Sequence, residues 1–306
     1  MPVSRGAETE TGAARVTGPP VWLDMDQQTL DDAYDQSKYA PNRSLILRRY
    51  ARNSEIARER LGAPRRIAYG PTADEALDLY PTVTPNAPIS ILVHGGAWRT
   101  GSARDYAFAA EMFVRAGAHH IVPDFVNVTS AGGDLMPMAD QVRRVIAWSY
   151  QNAASFGGDP NRIHLFGHSS GAHLAGVAMA ADWPGTFGLP TDVIKTGLLS
   201  SGMYDLRPVR LSARSRYVNF TDEMEQALST RRHLDRFVAP VVLAFGTEET
   251  PEFQRQSRDF YAALRDAGKP VELLVGEDYN HFEIAETLAS PYGLLGRTAL
   301  AQILAG

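Results

Sequence analysis

After residue 62 the chain repeatedly alternates short apolar runs with stretches of helical period, and that order admits few folds. The runs at 66–69, 76–80, 89–94, 120–126, 163–166, 194–199, 241–245 and 271–275 are short and bounded by turn residues, so they read as strands. Helical stretches at 136–153, 170–181, 252–267 and 294–304 fall between or after the later runs. Strands alternating with helices predict an α/β fold, a mostly parallel central sheet with helices on both faces. The first two runs, linked through Gly70-Pro71, predict an antiparallel hairpin at one edge.

Two segments break the alternation. Residues 26–62 carry Leu30, Ala33, Tyr34, Leu45, Ile46, Tyr50, Ile56 and Ala57 at three- and four-residue steps, with Pro41 dividing the run. Residues 206–234 are polar. Both are expected to form a small helical cap over a site at the sheet edge. Residues 1–20 are polar and rich in Gly, Thr and Ala, without the apolar core of a secretory signal, and are expected to be a disordered tail. Residues 21–306 are then expected to form a single domain that includes both cap elements.

Composition narrows the chemistry. There is no cysteine, which excludes disulfides, thiolate catalysis and cysteine-based zinc sites. The net charge of -5 comes with no basic run, and Arg65-Arg66, Arg143-Arg144 and Arg231-Arg232 are scattered, so no nucleic-acid partner is expected. No apolar run is long enough to span a bilayer, so no membrane partner is expected either. These readings lead to the expectation of a cytoplasmic enzyme acting on a small molecule.

The candidate chemistry lies in FGHSSGAH, residues 166–173. Gly167-His168-Ser169-Ser170-Gly171 fits G-x-S-x-G only with Ser169 at the centre. A serine at a sharp strand-to-helix turn projects its hydroxyl above the sheet, and the flanking glycines let strand and helix approach closely. The run at 163–166 supplies the strand, and the small residues after Ser170 supply the helix. His168 shares the turn with the nucleophile, and His173 is four residues further along it. A five-residue step turns about 500° on a helix, so the two cannot form a metal pair on one face. Both are read as structural.

In this arrangement the acid and then the base follow the nucleophile along the chain. His233 and His281 remain as bases. His281, in a loop after the last strand, is preferred to His233 in the charged run RRHLDR. For the acid, Glu248 and Glu249 both qualify after the strand at 241–245, with Asp205 and Asp278 as further candidates. His94-Gly95-Gly96-Ala97-Trp98 ends a central strand, and the backbone N–H groups of Gly95 and Gly96, with that of Ser170, are candidates for an oxyanion hole. His94 is read as an orienting residue. Trp98, Tyr204, Phe125 and Phe282 are candidates for an aromatic wall, and of these Trp98, Tyr204 and Phe282 are assigned to substrate binding.

HGGAW, GHSSGAHLAG, ADW, GTEETPEFQRQSRDFY and DYNHFEIAETL together resemble kynurenine formamidase (arylformamidase) and its relatives in the α/β-hydrolase esterase and lipase group, from about residue 85 to about residue 290. The resemblance implies an α/β-hydrolase fold with Ser169 as nucleophile, His281 as base and Glu249 as acid. Glu249 stands where the family usually has aspartate, and Ser170 where it commonly has alanine. The implied reaction is hydrolysis of an N-formyl arylamine to amine and formate, with no metal or organic cofactor. The resemblance is also compatible with a homodimer. A carboxylesterase acting on small aryl or short-chain esters, or a hydrolase of another amide, is the alternative, because a fold does not fix a substrate. A silent scaffold usually lacks part of the machinery, and here no part is missing.

Overall fold

The computed structural model describes residues 18–305, so most of the tail expected over 1–20 lies outside the described residues. Eight strands form one sheet: β1 (Arg65–Ala68), β2 (Ala76–Tyr80), β3 (Ala87–Val93), β4 (His119–Pro123), β5 (Gly158–His168), β6 (Ile194–Ser200), β7 (Val241–Gly246) and β8 (Val271–Gly276). Their order is β1-β2-β4-β3-β5-β6-β7-β8. The pairs β1/β2 and β2/β4 are antiparallel and all the others parallel, so the expected edge hairpin sits on a parallel sheet. The chain leaves β3 in one direction to form β4 and returns on its other side to form β5. This reversal opens a crevice at the carboxyl ends of β3 and β5, where α/β folds place their ligands.

The helices are α1 (Gln27–Ala33), α2 (Arg43–Leu61), α3 (Ala110–Arg115), α4 (Met136–Phe156), α5 (Ser170–Met179), α6 (Trp183–Phe187), α7 (Leu206–Leu211), α8 (Asp222–Leu228), α9 (Pro251–Asp266), α10 (His281–Glu286) and α11 (Leu294–Leu304). None is long and apolar enough to cross a membrane. The two faces of the sheet carry separate cores, as the two-residue period of a strand requires. Ile89, Ile91 and Val93 of β3 join one core with Val142 and Ile146 of α4, Leu174 of α5 and Phe260 of α9. Leu92 points the other way, packing with Phe166, Tyr50 of α2, Phe113 of α3 and Ile303 of α11.

Sequence and structure differ most around residue 281. His281 was expected in a loop, but it is the first residue of α10. Asn280 caps that helix by accepting from the backbone N–H groups of Phe282 and Glu283, while Glu283 accepts from the backbone N–H of Asn280. This reciprocal capping box satisfies donors that a short helix would otherwise leave open. β5 is also longer than its apolar run, because its first half is polar and partly exposed.

Several histidines are buried in the sheet and its flanking helices. His120 shares a hydrogen bond of 2.9 Å with Ser90 Oγ and stacks on Phe113, and His164 bonds Thr196 Oγ1 at 2.9 Å. Burial pushes His120 down to about 3 from the ordinary 6.5, and His164 and His173 each to about 4. Below 6.5 the unfolded chain therefore binds protons that the folded chain refuses. The stability these rings provide is complete above about pH 6.5 and is lost progressively as pH falls from there to about 4 for His164 and His173 and to about 3 for His120. The midpoint of urea unfolding is expected to fall steadily between pH 7 and pH 5, with a shallower slope in His120→Gln.

Candidate active site

β5 runs straight into the nucleophile. Ser169 sits between β5 and α5 with φ 58° and ψ -126°, a backbone conformation that non-glycine residues rarely adopt. The flanking glycines make the turn possible. A Cβ on Gly167 would lie 2.7 Å from Gly171 O, and one on Gly171 would lie 2.1 Å from Val93 O, so each position excludes a side chain. Ser169 N donates to Ser200 O at 2.9 Å, tying the elbow to the end of β6.

His281 and Glu249 complete the line. His281 Nε2 lies 2.8 Å from Ser169 Oγ, and its Nδ1 lies 2.7 Å from Glu249 Oε2. With Nδ1–H donated to the carboxylate, Nε2 is free to accept the serine proton. Glu249 is buried, whereas Glu248 is exposed, which settles the choice between the adjacent glutamates. The longer side chain folds back over its own turn: Glu249 Oε1 accepts from Gly246 N at 2.8 Å and from Ser201 Oγ at 2.6 Å. Gln36 Nε2, from the turn between α1 and α2, donates to Glu249 Oε2 at 3.2 Å. Asp205 instead caps α7 through Arg207 N, Asp278 occupies an exposed turn, and His233 donates to Gln226 O.

Gln36 and Ser201 were not anticipated. Gln36 is 213 positions from its partner, with no local pattern to mark it, whereas Ser201 follows directly on the apolar strand β6. The N-terminal segment also braces the base. Asn42 Nδ2 donates to Glu283 Oε1 at 2.7 Å, and Tyr50 OH donates to Phe282 O.

His168 and His173 have structural partners. His168 donates Nε2–H to His281 O at 2.8 Å, so it holds the backbone of the base. His173 donates Nε2–H to Leu228 O at 3.0 Å and accepts Trp98 Nε1–H at Nδ1 over 3.2 Å. Burial lowers the pKa of both rings and keeps them neutral, so that His168 brings no charge to the base it packs against. His94 donates Nδ1–H to Gly95 O at 2.9 Å and stacks on Phe125, consistent with an orienting role.

The loop after β3 lies against the elbow. A Cβ on Gly95 would come within 3.1 Å of Ser169 Cβ, and one on Gly96, at φ +122°, within 1.9 Å of Thr100 O. Ala97 and Trp98 also have positive φ, and Trp98 N donates to Ser170 Oγ at 3.2 Å. Gly95, Gly96 and Ser170 are thereby gathered around Ser169, at the amino end of α5, where first-turn N–H groups have no helical partner.

Ser169 and His281 open onto a cavity of about 1100 Å³. Its walls include Tyr34 and Tyr50 from the N-terminal segment, Tyr106 and Phe282 from the body of the protein, and Arg214 and Tyr217 from the 206–234 segment. Phe282 lies where a substrate-binding residue was expected. Trp98 and Tyr204 do not line the cavity. Trp98 is buried against His173, and Tyr204 stacks on Phe260 with its hydroxyl donating to Leu199 O, because each ring completes the apolar core behind the site. Among the described residues, no cluster of three or more His, Asp or Glu is placed to hold a metal ion.

If Glu249 fixes the tautomer of His281, Glu249→Gln should lower kcat about 10³- to 10⁴-fold. Glu248→Gln, altering an exposed neighbour, should stay close to wild type. Initial rates on p-nitrophenyl acetate distinguish the two, and equal losses in both variants would remove Glu249 from the triad.

The family model described as BD-FAE matches residues 77–293. Kynurenine formamidase of Danio rerio is 29% identical, over 92% of this chain and 98% of the fish protein. Among solved structures, a provisional thioesterase from Silicibacter sp. superposes with a TM-score of 0.77 at 23% identity, covering 90% of this chain and 98% of its own. An esterase from Thermogutta terrifontis gives 0.62 at 19%, covering 78% of this chain and 90% of its own. These two structural likenesses speak to the fold. The family match extends over most of the sheet and every triad position, and with Ser169, His281 and Glu249 in hydrogen-bonded line the chain belongs to the BD-FAE family of α/β-hydrolases, as a serine hydrolase acting on small esters or amides through an acyl-enzyme.

Proposed function

We propose that the protein is a carboxylesterase for small aryl or short-chain esters. The observation carrying this reading is the complete Ser169–His281–Glu249 line at the foot of a roomy, aromatic-walled cavity. Ser169 Oγ attacks the ester carbonyl while His281 Nε2 takes its proton. Glu249 offsets the charge of the resulting imidazolium, with its other oxygen held by Gly246 N and Ser201 Oγ. The N–H groups of Gly95, Gly96 and Ser170 are assigned to the developing oxyanion. His281 returns the proton to the leaving oxygen, and a water molecule activated by the same ring releases the acid. The small acyl group sits at the oxyanion loop, and the alcohol portion fills the cavity beside Phe282.

A second reading is hydrolysis of an N-formyl arylamine. It is favoured by the Danio rerio kynurenine formamidase, which aligns over nearly its whole length, N-terminal segment included. The two reactions share every catalytic step. They differ in what the base must do, since an amine leaves only when His281 protonates it, whereas a phenolate leaves with little help. The direct comparison is kcat/KM for phenyl acetate against N-formylkynurenine, with Ser169→Ala as the control. A higher value for the ester is expected, with both activities lost in the variant. A higher value for the formamide would replace the first reading with the second.

A further inference from the structure

Arg214 lies in a short turn between α7 and α8 and lines the catalytic cavity, yet its side chain is buried at 8% exposure. Its guanidinium carbon sits 5.5 Å from the centre of the Trp98 ring and 6.0 Å from that of Phe253. Trp98 belongs to the oxyanion loop, and Phe253 packs edge-on against His281 at 5.0 Å. The guanidinium donates to Tyr217 OH at 2.9 Å and to Tyr34 O at 3.1 Å. Its Nε is shielded from solvent and has no hydrogen-bond partner, and among the described residues no carboxylate pairs with it.

A buried cation without an anion is costly, and buried arginines are ordinarily paired. The cavity's own aspartates do not serve. Asp31 pairs with Arg216 at 3.2 Å and Asp32 with Lys38 at 2.6 Å, while Asp35 and Asp105 are exposed and accept from Ser37 and Ser102. A second cation reinforces the first. Arg99, also on the cavity wall and without an ion pair among the described residues, lies 4.8 Å over the Tyr217 ring. Tyr217 accepts from Arg214, so its own O–H remains available to donate.

We propose that Arg214, with Tyr217 and Arg99, forms a carboxylate-binding subsite, so that the substrate is an ester or formamide whose leaving portion carries a carboxylate. The planar guanidinium suits a carboxylate, and the flanking aromatic rings exclude the water that would screen the pair. The side of the substrate follows from the proposed function, which assigns the cavity to the leaving portion. The anion preference itself does not depend on which bond is cut.

The test uses para-acetoxyphenyl acetate, propionate and butyrate anions, each against its methyl ester, so that reach along the cavity is sampled. In the wild type kcat/KM should favour the anion in the best-fitting pair, and in Arg214→Gln that ratio should fall about 100-fold. Arg214→Lys, which keeps the charge but loses the planar fork, should fall between them. A uniform loss from disturbed packing would lower both members of a pair and leave the ratio intact, which would overturn the proposal. Absence of anion preference in the wild-type protein would overturn it even if the glutamine variant failed to fold. If the acetates are not turned over at all, the esterase reading fails separately. The para-formamidophenyl counterparts, or calorimetric binding of the hydroxyphenyl acids and their methyl esters to Ser169→Ala, then decide the subsite.

Discussion

The buried carboxylate of Glu249 is the point on which the site depends. An anion removed from water must be satisfied on the spot, and this one is met by four donors, one from its own turn and three from distant parts of the chain. Gly246 N comes from the end of β7, Ser201 Oγ from the end of β6, His281 from the start of α10 and Gln36 from the N-terminal segment. The carboxylate thus registers the ends of neighbouring strands against the base, and the base against a segment more than two hundred residues away in sequence. A glutamate can play this part because its longer side chain curls back over the turn it leaves. The carboxylate then reaches Gly246 N and His281 Nδ1 together.

Around that anchor, close backbone packing does the rest. Gly167 and Gly171 allow β5 and α5 to meet so tightly that Ser169 is forced into an unusual backbone conformation, and Gly95 lets the loop after β3 lie against it. Such strain persists only where the surroundings over-determine it. Here the surroundings are the switch point of a parallel sheet, with β3 and β5 side by side and their carboxyl ends in the crevice. The N-terminal helices and the 206–234 segment then wall the space above the serine, and they contribute charged and aromatic groups to it.

Much of this is legible in the sequence. Strand and helix periods gave the alternation, the edge hairpin and the parallel sheet, because burial on one or two faces imposes a repeat on the residues themselves. The serine and the glycine loop were legible for a similar local reason: a tight turn demands glycine at particular spacings. Phe282 could be placed near the site because it adjoins the base. Trp98 and Tyr204 could not be told from core residues, since an aromatic ring has the same appearance in sequence whether it faces a substrate or the back of a sheet.

Sequence alone therefore determined the fold class, the nucleophile and the base, all of which rest on local spacing and chain order. Tertiary structure decided the matters that depend on meetings across the chain. It chose Glu249 over Glu248, since only one of two adjacent side chains turns inward. It put His281 at a helix start, brought Gln36 and Ser201 to the acid, and left Arg214 buried beside the catalytic line with no carboxylate partner among the described residues. Burial and pairing are properties of a packed interior, and a linear pattern carries no record of which distant residue will supply, or fail to supply, the opposite charge.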